Sequence, residues 1–175
     1  MLPANIVTMY AKELLKCGTQ EDFSDAAPFF EMEYQNHPSE ESTCVLARYY
    51  RQKGQSDKFF SVALKNVATN GCSEICCELG AYYMAKKDFE EASLWYYNAA
   101  FEVSPVLDIE TGGVIPLSAL ADCYDKLADI KQASYDSLPP QSHGRFNADL
   151  DTINSLRIKA ADFRKKAQEW LLPDL

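Results

Sequence analysis

The chain is poor in positive charge, in histidine and in long apolar runs. Its 175 residues hold 17 Lys and Arg against 26 Asp and Glu, a net charge of −9. Such a field repels nucleic acid and anionic lipid, so neither is expected as a partner. No apolar run approaches the roughly 20 residues needed to cross a bilayer, which excludes membrane insertion. The opening Met1-Leu2-Pro3-Ala4-Asn5 lacks a charged start followed by an apolar stretch, so no signal peptide is expected and the assigned location is cytoplasmic. The motifs G-x-S-x-G, G-x-x-x-x-G-K and H-E-x-x-H are all missing. The chain is therefore expected not to be an enzyme, and to need no cofactor.

Six cysteines stand at 17, 44, 72, 76, 77 and 123, and only two histidines, His37 and His143, which are remote from the Cys72, Cys76, Cys77 cluster. C-x-x-x-C-C without a second matching pair is a poor metal motif, so the cysteines are read as buried packing thiols in a reducing compartment, with no metal site.

What the chain does have is a recurring pattern of small and large residues. Counting from Ser73, Leu79 and Gly80 fall at places 7 and 8, Tyr83 at 11, Asp88 at 16, Ala92 at 20, Tyr96 at 24 and Ala99 at 27. Gly80 and Ala92 leave room for two helices to approach, Leu79, Tyr83, Phe89 and Tyr96 supply bulk, and Asp88 can cap the second helix. This unit resembles the tetratricopeptide repeat, a 34-residue pair of antiparallel helices. The same frame fits units near 4–39, 40–72, 73–106 and 114–140. In the first, Thr19 to Glu21 are read as extra turn residues; in the second, Phe59 and Ala63 exchange the usual small and large places. In the fourth, Leu120 and Ala121 take places 7 and 8, and Asp129, Ile130 and Ala133 begin a second helix cut short by Pro139-Pro140. Between units, Asn70-Gly71 is a stop, and Val106 to Gly113 is an irregular insert.

A last helix is expected over 147–172. Ile153, Leu156, Ala160, Phe163, Ala167 and Trp170 form its apolar stripe, while Arg157, Lys159, Arg164, Lys165 and Lys166 form a solvated basic face. It would cap the array. Asp149 and Asp151 fit the acidic start of this helix better than a metal-binding pair. The expected fold is all-α: a tetratricopeptide-like right-handed superhelix of four helix pairs plus a capping helix, in one domain spanning 1–175.

The stretch Glu110 to Pro116 running into Leu120 to Leu127, with Tyr10 to Leu14 and Gly18, also resembles the repeat region appended to bacterial nucleotide-sugar glycosyltransferases. That resemblance implies an accessory module, alone or joined to a glycosyltransferase domain, which positions an acceptor or a partner protein. The repeat family implies that the first helix of each unit lines a concave groove. Lys12, Arg48 and Arg51 would make its N-terminal end basic, Met84 would lie midway, and Asp122 and Asp125 would make its far end acidic. The expected function is a non-catalytic scaffold that holds a protein or peptide segment there. The clamp that grips acidic chaperone tails is not expected, because Thr8, Val45, Glu74 and Glu78 stand where it needs other residues.

Overall fold

A computed structural model describes residues 3–69, 71–103, 114–139 and 147–171. Among them the chain forms eight α-helices and no strand. These are α1 (Ala4–Cys17), α2 (Gln20–Asn36), α3 (Glu40–Gln52), α4 (Ser56–Thr69), α5 (Ser73–Ala85), α6 (Phe89–Phe101), α7 (Val114–Asp136) and α8 (Asn147–Leu171). Helices α3 and α4 and helices α5 and α6 form close pairs, α2 packs on α3, and α1 meets α2 chiefly through the Tyr10 ring against Phe29 and Phe30, while α1, α3 and α5 touch in succession. Helices α7 and α8 pack along each other, with α7 resting on α6.

Place 15 of the frame decides where a pair bends. Gly54 and Lys87 stand there in the second and third units, and both are left-handed, at φ 68° and 62°. That conformation reverses a helix, and only glycine adopts it without a steric penalty. Gly18 holds the place in the first unit with an extended backbone. A Cβ there would lie 2.5 Å from the Leu14 carbonyl oxygen, so the tight exit from α1 excludes a side chain. In the fourth unit the residue is Ala128, fully buried and helical. Helix α7 therefore runs on through Asp129, Ile130 and Ala133 to Asp136, and the expected fourth pair is one long helix. A long pair of helices, α7 and α8, stands where a fourth short pair and a separate cap are expected.

A second correction concerns Thr19. It ends no extended turn but accepts a hydrogen bond from the Asp22 N–H, while Asp22 accepts one from the Thr19 N–H at 2.7 Å. This reciprocal cap starts α2 at Gln20. Ser39 and Ser42 build the same device at the start of α3, and Asp88 caps α6 as expected. Asn70, the expected insert Val106 to Gly113, and Pro140 to Arg145 lie outside the described residues.

One core cluster runs from Val7 to Leu79, with Phe23, Phe30 and Phe59 fully buried in it. The exchanged pair Phe59 and Ala63 is accommodated because the Phe59 ring stacks on Tyr82 of the next unit, centroids 5.6 Å apart. At Gly80 an added Cβ would sit 2.9 Å from three carbons of the Tyr96 ring, which is the close approach the small residue permits. A smaller cluster of Ala128, Tyr135 and Ile153 joins α7 to α8. Along α8, Ile153, Ala160 and Ala167 are buried, but Trp170 is exposed and leaves the apolar stripe one step short.

Candidate groove along the odd-numbered helices

The six residues expected to line a groove fall into two groups with different surroundings. Arg48 and Arg51 lie one turn apart on α3 and both reach Glu78 of α5. Arg48 Nε donates to Glu78 Oε1 at 2.7 Å, and Arg51 Nε donates to Oε2 at 2.5 Å. The Arg48 Nη1 also donates to the Leu15 carbonyl at 2.7 Å, and its guanidinium lies 5.5 Å from the Phe23 ring centroid. The Leu15 carbonyl is in the last turn of α1, where helical partners run out, so Arg48 satisfies a group the helix cannot. One side chain thus ties together α1, α2, α3 and α5. Glu78 is 6% exposed in its side chain, while the two arginines keep 23% and 27%. Lys12 of α1 is half-buried.

The remaining three residues are engaged by α7 or α8. Met84 accepts a hydrogen bond from the Cys123 thiol at 3.4 Å, inside a cluster with Ala92, Tyr96 and Leu120. Arg164 of α8 bridges Asp122 at 2.9 Å and Asp125 at 2.6 Å. The expected acidic end is therefore occupied by α8. The basic face of α8 is not simply solvated either. Arg157 reaches Asp129 at 3.4 Å, Lys165 reaches Glu169 at 3.7 Å, Lys159 sits over Tyr124, and Lys166 sits over Phe101 and Phe163. Its two paired aspartates hold the Arg164 guanidinium above its ordinary pKa, Asp125 more than Asp122.

Glu78, which the repeat frame sets at a groove place but not among the binding residues, lies 27 residues from Arg51. Only the contact of α3 with α5 makes the pair. Tyr50 is similarly tied outward, donating to Glu31 on α2 at 2.7 Å; burial, then that carboxylate, pushes its phenol pKa up. A shallow depression lined by Glu31, Tyr34, Tyr50 and Lys58 lies beside it, and none of the six expected residues lines it.

The thiols divide as well. Cys76 and Cys123 are both pushed up to about 12, chiefly by burial, as packing thiols would be. Cys17 is exposed. Cys72 does not meet Cys76 and Cys77 in a cluster. It meets Cys44, with the two Sγ atoms 3.2 Å apart and the Glu74 carboxylate within 4.8 Å of both.

No family model, curated protein or solved structure matches the chain.

Proposed function

We propose that the protein is a non-catalytic interaction scaffold of tetratricopeptide-like helix pairs, whose basic first-helix face receives an acidic segment of a partner protein. The observation that carries this reading is the succession α1, α3, α5, which sets Lys12 on the helix next to the one whose Arg48 and Arg51 meet Glu78 of α5. In a chain of net charge −9, a local excess of cations favours an anionic ligand. The left-handed residues at place 15 of the second and third units, Gly54 and Lys87, support the repeat reading of those two units. The groove is shorter than four units, since α8 occupies Asp122 and Asp125.

The test uses a fluorescent oligo-glutamate peptide and anisotropy at low and at physiological salt. Charge reversal at Lys12, which leaves the Glu78 pairing intact, should weaken binding by about 2- to 5-fold, the range of one exposed charge. Lys131→Glu on α7 should leave it unchanged. Equal affinity of wild type and Lys12→Glu would remove the groove. The resemblance of residues 110–127 supports a second reading, an accessory module of a glycosyltransferase. Pull-down of a separately encoded or fused glycosyltransferase domain by this chain would favour it.

A further inference from the structure

We propose that Cys44 and Cys72 are a redox pair, which a peroxide closes into a reversible disulfide that staples the pair α3 and α4 to the pair α5 and α6. Cys44 comes from the first half of α3, and Cys72 is the residue before α5. They stand 28 residues apart in sequence, yet their Sγ atoms lie 3.2 Å apart, and the residues are 0% and 1% exposed. A disulfide draws two sulfurs to about 2.05 Å, so closure asks for a movement of about 1 Å.

Three features single out this pair. Cys17 turns to the Glu13 carbonyl and Cys123 to Met84, whereas Cys44 and Cys72 turn to each other. Next, Cys72 has an extended backbone, at φ −140° and ψ 156°, and stands just outside the helix it precedes. Its sulfur can therefore shift without unwinding a turn. Last, the pair lies between the two helices that Arg48 and Arg51 of α3 and Glu78 of α5 also join. A covalent bond here fixes the helices that those charges already align. It also closes a loop that holds the rest of α3 and all of α4, which removes freedom from the unfolded chain.

The step balances with hydrogen peroxide as the oxidant. One sulfur attacks a peroxide oxygen, the O–O bond breaks, and a sulfenic acid and one water form. The second sulfur then displaces the hydroxyl group of that sulfenic acid, so the S–S bond forms and a second water leaves. Two thiols lose two electrons and two hydrogens, and one peroxide becomes two waters. Burial sets the pace. The bond to Cys72, then burial, holds the Cys44 thiol well above its ordinary range, and the thiolate is the form that attacks. The closed pair therefore reacts over about hours, at the slow end for disulfide formation.

The experiment uses the full chain carrying Cys17→Ser, which removes the exposed thiol. The reduced protein is held in hydrogen peroxide, its remaining thiols are blocked in denaturant, and intact mass and a non-reducing peptide map are recorded. A second portion is melted without blocking. The chain should lose two thiols, yield one peptide that links Cys44 to Cys72, and melt about 5–10 °C higher. Dithiothreitol should reverse all three changes. Cys44→Ala in the same background should show neither the link nor the shift, and the map of the parent chain stands even where that variant fails to fold. A parent chain that keeps both thiols, or carries them on to sulfinic acid, overturns the proposal. A link from either cysteine to Cys76, Cys77 or Cys123 overturns it too. So does a Cys44–Cys72 link that leaves the melting temperature unchanged or lower.

Discussion

Helices α1 to α5 and the hairpin of α7 and α8 use the same residue types in opposite ways. In the first region, charge is drawn inward: Glu78 is nearly buried and holds two arginines from another helix, one of which also serves a helix end. In the second, the ion pairs lie on the outside, with Arg164 and Asp122 at 46% and 59% exposure. The apolar content differs in parallel. One continuous cluster underlies the first region, whereas three buried residues with Leu138, Leu150 and Leu156 hold much of the second. Ionic contacts in the first region fix which helices meet. In the hairpin they decorate a meeting that a long parallel seam already makes.

That contrast can be broken at four points. Phe30 is fully buried within the large cluster, so Phe30→Ala should cost about 3–5 kcal/mol in urea unfolding. Ile153→Ala in the hairpin should fall at or below the lower part of the same range, and an equal loss would erase the distinction between the cores. Glu78→Gln should cost about 2–3 kcal/mol, because it leaves two partly buried guanidiniums with no counter-charge. This loss should persist in high salt. Arg164→Ala should cost less than about 1 kcal/mol, and raised salt should shrink even that. A larger loss for Arg164→Ala than for Glu78→Gln would invert the comparison.

The helical pairs were readable from sequence because spacing alone reports them. Leu79, Gly80, Ala92 and Tyr96 repeat a local pattern, and local patterns need no knowledge of what lies opposite. The unexpected features share one cause: each is a contact between distant parts of the chain or a choice between two local options. Ala128 fits a helix interior as well as a repeat place, and the lack of a glycine there does not decide between them, since Lys87 turns left-handed at the same place of the third unit. Thr19 and Asp22 had the spacing of a cap, yet the repeat frame read Thr19 to Glu21 as an insertion before Asp22. Glu78 joins Arg48 across 30 residues, and Cys44 joins Cys72 across 28, distances at which neither spacing nor composition carries information. Arg164 was assigned to a solvated face because helix α8 shows five cations without showing which acids stand opposite.

The large cluster has a consequence for synthesis on the ribosome. Its buried members end at Leu79, and Glu78, which gathers the arginines, precedes that by one residue. Translation adds about 5–20 residues per second, so the chain beyond Leu79 takes several seconds to appear. Helix formation and the closure of short loops take microseconds or less. The first five helices can therefore assemble as they clear the exit tunnel, before α7 and α8 have been made. The later hairpin then docks through α6 onto a finished body, and an error in that hairpin leaves the earlier one intact.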